Sequence, residues 1–314
     1  MPSTAAPAIA PPAEAPFRGL VDQEGFVAAA AAVGELVLGT RALAALDAFA
    51  ADPGPSGSLL LSDLDVGEVP PTPATPTDAT AKDVRSELVL LAAARRLGEP
   101  VGYRPEHGGS IVQNLVPTRD AIGRQTSTSS GVDLGFHTET AFHPHRPRYL
   151  LLLCLRGDPS ASTTLASVDD LLPGLRPDTV AELRRPRFRT GVDESFGGRP
   201  DVPVGPARPV LAGGDEAPEL CWDAELTRGE TEAARAALLE LAAAVAERQR
   251  RIVLAAGDLL VVDNARCVHG RSPFAARFDG TDRWLQRAFV VEDLAPSAAE
   301  RDGRVITTDV AAFA

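Results

Sequence analysis

The chain has 314 residues, 44% of them hydrophobic and 24% charged, which is the ordinary balance of a globular protein that can bury a sizeable core. Its formal net charge of -12 argues against nucleic acid or an anionic membrane as a partner, because both attract basic surfaces. The apolar runs are too short to span a bilayer, so no membrane segment is expected.

The first residues are small and rich in proline, without the positive start and continuous apolar stretch of a signal peptide. This composition predicts a disordered tail over residues 1–18, followed by a single domain over residues 19–314. The cysteines, Cys154, Cys221 and Cys267, are scattered and odd in number. They favour neither a disulfide framework nor a cysteine-based zinc site, so a reducing cytoplasm is the expected location.

Helices are predicted near the N-terminus and strands in most of the remaining chain. Residues 23–51 and 83–97 carry helical patterns, the first interrupted near Gly34 and Gly39. Residues 148–156 (RYLLLLCLR) form a continuous apolar run, typical of a strand buried on both faces. Further short strands are predicted within residues 108–117, 163–168, 202–211, 219–224, 258–262 and 284–291.

One later helix interrupts these strands, over residues 230–251, and the pair Thr227 and Glu230 predicts a capping box at its start. Short strands separated by turn residues are typical of a sandwich or jelly roll. The sequence therefore predicts a mainly β fold with flanking helices.

The histidines give the first indication of chemistry. His137 and Glu139 are two residues apart, so on a strand their side chains point to the same face and can bind one ion. His269 follows an apolar strand and is a candidate third ligand, because a closed sheet brings distant residues together. Two histidines and one carboxylate leave three positions of an octahedron open, as in non-haem iron(II) oxygenases. An H-x-E triplet alone often occurs by chance.

Two other histidines, His143 and His145, offer an alternative ligand set of the cupin type. In cupins, however, the H-x-H pair precedes the glutamate, whereas here Glu139 comes first. We interpret His143 and His145 as loop residues beside the site, and His107 as a residue at the edge of a pocket.

Two arginines follow on a predicted strand. Arg283 and Arg287 are four residues apart and therefore share a face, and the planar fork of arginine suits carboxylates. A 2-oxoglutarate molecule would bring one carboxylate, and an amino-acid substrate another. The alternative is a pair of surface arginines that bind Asp279, Asp282 or Glu292.

Several motifs together resemble the clavaminate synthase-like branch of the iron(II)/2-oxoglutarate oxygenases, which includes the arginine β-hydroxylase of viomycin biosynthesis and asparagine hydroxylases. The motifs are HTETAFH, LCLRGD, and DNARCVHGRSPF followed by DGTDRWLQR. The resemblance implies a double-stranded β-helix, or jelly roll, with His137, Glu139 and His269 as iron(II) ligands. It also implies that Arg283, assisted by Thr163, binds the distal carboxylate of 2-oxoglutarate, the co-substrate used together with O2.

The expected substrate is a polar L-α-amino acid of specialised metabolism such as antibiotic biosynthesis, hydroxylated on its side chain. Arg287 is placed to bind the α-carboxylate, while the resemblance puts Glu106 near the α-amine and Asp223 at the far end of the side chain. One carboxylate is evident at that far end, so arginine, citrulline, glutamine, asparagine and lysine all remain candidates. Asp223 could instead only satisfy nearby backbone groups or an arginine.

Two other functions remain open. The same apparatus could cyclise or desaturate its substrate. A jelly-roll module could also bind a metal without turnover, and such a module would not need the Arg283 clamp.

Overall fold

The computed structural model describes residues 24–78, 82–197 and 203–310 together with Asp22, and only the backbone at 203 and 204. The tail predicted over residues 1–18 lies outside them. The helices are α1 (Glu24–Ala32), α2 (Gly34–Ala51), α3 (Arg85–Leu97), α4 (Val168–Leu171), α5 (Pro177–Leu183) and α6 (Glu232–Arg248). A kink in α2 lies at Gly39, whose φ of 74° requires the conformational freedom of glycine.

The strands form two larger and two smaller sheets. Their bounds are β1 (Ser58–Leu61), β2 (Glu99–Tyr103), β3 (Gln113–Leu115), β4 (Leu134–His137), β5 (Tyr149–Arg156), β6 (Ser162–Ser167), β7 (Phe188–Gly191), β8 (Pro203–Arg208), β9 (Leu211–Ala212), β10 (Glu219–Leu220), β11 (Thr227–Gly229), β12 (Arg250–Val253), β13 (Leu259–Asp263), β14 (Cys267–Arg271), β15 (Trp284–Val291), β16 (Arg301–Asp302) and β17 (Val305–Ile306). The small sheets have the orders β11-β7-β8 and β10-β9.

A major and a minor sheet pack face to face. The major sheet has the order β1-β13-β5-β15-β2-β17-β16, with β3 paired to β15, and the minor sheet has the order β12-β6-β14-β4. Leu152 and Val262 of the major sheet share one buried cluster with Leu165 and Cys267 of the minor sheet. Two packed sheets of mainly antiparallel strands with a shared apolar interior form the predicted jelly roll.

Helices cover the outer faces of both sheets. Val27, Leu46 and Leu90, from α1, α2 and α3, pack with Leu151 and Trp284 of the major sheet in a second buried cluster. The helices α4, α5 and α6 contribute to a third cluster, which includes residues of β6 and β14 in the minor sheet. The prediction of a mainly β fold with flanking helices is confirmed.

The predicted capping box at Thr227 and Glu230 is wrong. Residues Thr227–Gly229 form β11, and the hydroxyl of Thr227 accepts the backbone N–H of Asp223 instead. The helix begins at Glu232, where the Thr231 hydroxyl accepts the Ala234 N–H at 3.1 Å. The two threonines are four residues apart, and sheet pairing with β7 prevents the first from acting as the cap.

The end of the predicted helix over residues 230–251 and the strand over residues 219–224 also differ from the structure. The helix ends at Arg248, and the chain then forms β12, which pairs with β6 at the edge of the minor sheet. Within 219–224 only Glu219–Leu220 is a strand, and Asp223 forms an isolated bridge with His137.

Among the described helices, none alone combines the length and apolar composition needed to cross a bilayer. The consecutive helices Glu24–Ala32 and Gly34–Ala51 meet that criterion only as a pair, and they are bent by 61° relative to each other.

Candidate active site

His137, Glu139 and His269 come together at the edge of the minor sheet. His269 on β14 lies directly opposite His137 on β4, and the centroids of their rings are 4.2 Å apart. Oε2 of Glu139 lies 3.5 Å from Nε2 of His269. Donor atoms of the three residues all lie within 4.8 Å of one another, and they are the one such cluster of His, Cys, Asp or Glu in the described part of the chain.

Glu139 is not on the strand that carries His137, because β4 ends at His137. Its position depends on Asn264, whose side chain accepts the Glu139 N–H at 2.8 Å and donates to the Glu139 carbonyl at 3.2 Å and to the Pro147 carbonyl at 2.9 Å. The prediction that the side chains of His137 and Glu139 converge is therefore correct, but alternation along one strand is not the cause. A buried amide after β13 holds the loop that carries the carboxylate.

A close backbone approach explains the glycine after His269. A Cβ atom on Gly270 would lie 2.5 Å from the carbonyl oxygen of Leu134, so any side chain would push β14 away from β4. The two histidines could then no longer face each other across the pair.

The protonation states suit a divalent cation. The Nδ1 atom of His137 lies 2.8 Å from the carbonyl oxygen of Gly135, and the tautomer that donates Nδ1–H to this oxygen presents the lone pair of Nε2 to a metal. Burial lowers the pKa of His269 to about 4, so its imidazole is neutral at pH 7. Burial alone would raise the pKa of Glu139, but Arg287 and the two histidines lower it to about 2.

His143 and His145 lie outside this donor cluster. Nδ1 of His143 accepts the backbone N–H of His145 at 3.0 Å, and burial lowers the pKa of His143 to about 3. The ring of His143 packs edge-on against Tyr103, and Nε2 of His145 lies 3.4 Å from Glu300. The cupin-like alternative does not assemble.

A cavity of roughly 780 Å³ opens onto the cluster and is lined by Arg283 and Arg287 as well. Both arginines are buried, Arg287 on β15 and Arg283 directly before that strand begins, so they are not surface residues. Two of the three carboxylates considered as alternative partners are used elsewhere: Asp282 accepts backbone N–H groups of Arg277 and Phe278, and Asp279 binds Thr281.

At one end of the cavity Arg283 has no carboxylate within ion-pair distance among the described residues. Its Nη2 lies 3.5 Å from the hydroxyl of Thr163, and burial lowers its pKa to about 10. Arg271 adds a second buried guanidinium, bound to the carbonyl and hydroxyl of Ser129 at 2.6 and 2.8 Å. Burial and the charge of Arg283 lower the Arg271 pKa to about 10. We call Arg271, Arg283 and Thr163 the cationic end.

Sequence reasoning did not identify Arg271, although a signal existed. Arg271 is two residues after His269 and lies on the same strand, opposite Thr163 in the register with β6. Alternation along the strand could therefore have directed attention to its side chain.

At the other end Arg287 is surrounded by acceptors. Its Nη2 binds Glu106, its Nε donates to the side-chain oxygen of Gln113 at 2.8 Å, and its Nη1 lies 3.5 Å from Oε2 of Glu139. Burial raises the pKa of Glu106 to about 7 against the attraction of Arg287, and Oε2 of Glu106 is buried without a hydrogen-bond partner among the described residues. We call Arg287 and Glu106 the paired end.

Asp223 lines the same cavity, but one of its oxygens already has a structural role. Oδ1 accepts the backbone N–H groups of Glu225 and Leu226, both at 2.8 Å, and burial raises the pKa of the carboxyl group. The nearby Cys221 lines a separate cavity of roughly 250 Å³, so it does not extend the polar surface around Asp223.

Comparison with known proteins identifies the family. Residues 80–289 match the family model described as "Taurine catabolism dioxygenase TauD, TfdA family". The chain belongs to this family. It is 42% identical to the L-asparagine oxygenase of Streptomyces coelicolor over 83% of this chain and 79% of the relative. Identity to the L-lysine 3-hydroxylase of Catenulispora acidiphila is 38%, covering 86% and 77% of the two chains, and to clavaminate synthase 2 of Streptomyces clavuligerus 36%, covering 84% and 83%.

Solved structures agree with these relatives. An asparagine oxygenase in complex with Fe(II), 2S,3S-3-hydroxyasparagine and succinate superposes with a TM-score of 0.83 at 39% identity, covering 91% of this chain and 90% of that chain. The non-haem iron oxygenase OrfP with Fe and α-ketoglutaric acid superposes with a TM-score of 0.81 at 31% identity, covering 90% and 91%. The predicted family branch, jelly-roll fold, dioxygenase class and cofactors are confirmed.

Proposed function

We propose that the protein is an iron(II)- and 2-oxoglutarate-dependent hydroxylase that acts on the side chain of a free, polar L-α-amino acid. The observation that carries this proposal is that one cavity is lined by a cationic end, a paired end and a His-Glu-His donor set.

The donor set fits iron(II). His137 and His269 offer imidazole nitrogens and Glu139 offers an ionised carboxylate, the combination that leaves open positions on non-haem iron. The buried Asn264 fixes the loop that carries the carboxylate, so the set requires little rearrangement. Bound iron, with 2-oxoglutarate and O2, supplies the oxidation of an unactivated C–H bond.

The cationic end suits 2-oxoglutarate. Arg283 is a buried guanidinium without an acidic partner in the described chain, and a carboxylate would restore the interactions that it lost on burial. The Thr163 hydroxyl offers that carboxylate a further donor, and Arg271 adds positive potential. A metal-binding module without turnover would have no use for two uncompensated buried cations.

The paired end suits the zwitterion of a free amino acid. Arg287 can bind the α-carboxylate, while the unpartnered Oε2 of Glu106 can accept from the α-ammonium group. The bound zwitterion would replace one internal ion pair with two, without adding net charge to a buried site. A substrate attached to a carrier as a thioester lacks the free carboxylate, so the same pair disfavours it.

Asp223 limits which functional group the substrate can carry at the far end of its side chain. Because Oδ1 of Asp223 already accepts two backbone N–H groups, Oδ2 is the oxygen left for the substrate. A guanidinium has five donors and would leave most of them unsatisfied there. A carboxamide or ammonium group is better matched, so we favour asparagine, glutamine and lysine over arginine and citrulline. The relatives named above include an asparagine oxygenase and a lysine hydroxylase.

The test is a panel of free amino acids with iron(II), 2-oxoglutarate and ascorbate, read by succinate release and by product mass. We expect substrate-dependent succinate and a product that has gained one oxygen. Loss of two hydrogens without gain of oxygen would indicate desaturation or cyclisation. No succinate with any free amino acid, but turnover of a carrier-bound one, would contradict the proposal. Asp223→Asn should change the preference within the panel without altering the 2-oxoglutarate KM.

Two further proposals concern the whole chain. We propose one domain over residues 19–314, because α1, α2 and α3 share a buried cluster with the major sheet. We also propose a reducing, cytoplasmic location, which is supported by free thiols at Cys154, Cys221 and Cys267.

A further inference from the structure

Gln113 contacts Arg287 from outside the substrate cavity. The two residues lie opposite each other in the antiparallel pair of β3 and β15, and the Gln113 side chain is buried. Its side-chain oxygen accepts from both Nε and Nη2 of Arg287, while its Nε2 donates to the carbonyl of Ser110 at 3.4 Å. Gln113 does not line the cavity, so any effect on a substrate must act through Arg287.

The contacts of Arg287 leave one edge of the guanidinium available. Gln113 occupies the Nε edge, Glu106 binds Nη2, and one face stacks on the ring of Phe289 at 4.4 Å from Cζ. Among the described residues, Nη1 contacts only Glu139, at a long 3.5 Å, so the donors of Nη1 are the least satisfied of this guanidinium. This edge faces the proposed metal ligand, and a carboxylate bound there would have its Cα close to the reacting centre.

The neutrality of Gln113 matters because of the charges around it. Arg287 already faces the carboxylates of Glu106 and Glu139. A third carboxylate would orient the guanidinium equally well, but it would repel an incoming α-carboxylate. An amide oxygen provides the acceptor geometry without adding negative charge.

We propose that Gln113 is a positioning residue for the amino-acid substrate: it holds the Arg287 guanidinium so that the Nη1 edge faces the α-carboxylate, and it does so without neutralising the arginine. This inference rests on the proposed function, since it assigns the α-carboxylate to Arg287.

The same strand offers a matched control. Asn114, the next residue, points to the opposite face of the sheet, where its side-chain oxygen accepts from Nε1 of Trp284 at 2.9 Å. Gln113→Met removes the acceptor at similar length, Gln113→Glu keeps it and adds a charge, and Asn114→Leu removes a partly buried amide away from the cavity. Each variant is measured for amino-acid KM, 2-oxoglutarate KM, hydroxylated product per succinate, and melting temperature.

For Gln113→Met we expect the amino-acid KM to rise about tenfold or more, as for the loss of a hydrogen bond to a charged group. Hydroxylated product per succinate should fall, because a misplaced substrate leaves co-substrate turnover uncoupled. The 2-oxoglutarate KM should stay unchanged. Gln113→Glu should also raise the amino-acid KM despite its retained acceptor. Asn114→Leu should lower the melting temperature while leaving both KM values and the coupling ratio near those of the wild type.

The wild-type enzyme in the same assay distinguishes failure of the proposed function from failure of the role of Gln113. If it shows no substrate-dependent succinate, the proposed function fails and this inference fails with it. If wild type is active and Gln113→Met keeps its amino-acid KM and coupling, Gln113 has no positioning role. Equal rises in both KM values, or the same losses in Asn114→Leu, would show a general distortion of β15 and overturn the assignment. Wild-type behaviour of Gln113→Glu would refute the role of neutrality.

Discussion

Arg283, directly before β15, and Arg287, within it, are the same residue type four positions apart, and they are almost equally buried at 7% and 5% exposure. Their environments nevertheless shift the pKa values of the two guanidinium groups in opposite directions. Burial lowers the pKa of Arg283 to about 10, whereas Glu106 and Glu139 outweigh the effect of burial and raise the pKa of Arg287. Within the described part of the chain Arg283 has no carboxylate partner, whereas Arg287 is already paired with Glu106.

We propose that this difference allows two neighbouring positions of the chain to bind two ligands of different charge. 2-Oxoglutarate is a dianion, so its distal carboxylate should bind where positive charge is uncompensated. A free amino acid is a zwitterion, and a pre-formed ion pair offers both of its groups a partner without a net change in charge. The different surroundings of the two arginines come from different elements, since Thr163 lies on β6 and Glu106 follows β2.

The largest effect is expected from removing a ligand of the His-Glu-His donor set, on which the cationic end and the paired end both depend. His269→Ala should abolish stoichiometric iron binding and nearly all turnover, because the two remaining ligands hold a divalent ion poorly. Metal content after reconstitution and succinate release measure this. His145→Ala, on a histidine outside the donor cluster, serves as the control and should retain iron. The ligand assignment is wrong if His145→Ala loses the metal and His269→Ala keeps it.

The next effect should be confined to the cationic end. Arg283→Ala leaves the distal carboxylate of 2-oxoglutarate unpaired in a buried site, a loss of about 2–5 kcal/mol. We expect the 2-oxoglutarate KM to rise by tens-fold or more while iron affinity and the amino-acid dissociation constant change little. An unchanged 2-oxoglutarate KM would remove Arg283 from this role.

Features of the fold and the site could be predicted from the sequence where they depend on residues close together in the chain, and not where they depend on distant segments. The convergence of His137, Glu139 and His269 beside a cavity that Arg283 also lines was predictable, because short motifs contain these residues; their roles as ligands and as the 2-oxoglutarate clamp stay predictions. The tail over residues 1–18 and the single domain stay predictions. The prediction of the helix cap failed because Thr227 and Thr231 look equivalent in the local sequence. The pairing of Thr227 with β7 determines that Thr231 is the cap.

Gln113 illustrates what could not be predicted. Its importance depends on the register of β3 against β15, which joins residues 174 positions apart in the chain. No local pattern specifies that register. The electrostatic difference between Arg283 and Arg287 was hidden for the same reason, because their partners come from distant segments.

A smaller effect, confined to the paired end, should follow from Glu106→Gln. The variant keeps the size of the side chain but removes the charge that would bind the α-ammonium group, worth about 1.5–3 kcal/mol for a hydrogen bond to a charged group. We expect the amino-acid KM to rise at least tenfold with an unchanged 2-oxoglutarate KM, the reverse of the Arg283→Ala result. Equal changes in both KM values would mean that the two ends are not separate sites.

The smallest effect is a pH dependence that only the paired end should show. Burial raises the pKa of Glu106 to about 7, with Arg287 opposing that rise and the charge of Glu139 adding to it. Glu106 is an acid, so it loses its charge as the pH falls through this value, and the protonated form cannot pair with an ammonium group. Between about pH 8 and about pH 6 the amino-acid KM should therefore rise about tenfold, one decade per unit below the pKa.

Three measurements isolate this titration. The 2-oxoglutarate KM should stay flat over the same range, because Arg283 remains charged well below its pKa of about 10. Glu106→Gln should abolish the pH dependence of the amino-acid KM. Burial also raises the pKa of Asp223, so Asp223→Asn must be compared, and it should keep the dependence if Glu106 is the titrating group. A pH profile that persists in Glu106→Gln and disappears in Asp223→Asn would move the titration to the far end of the substrate.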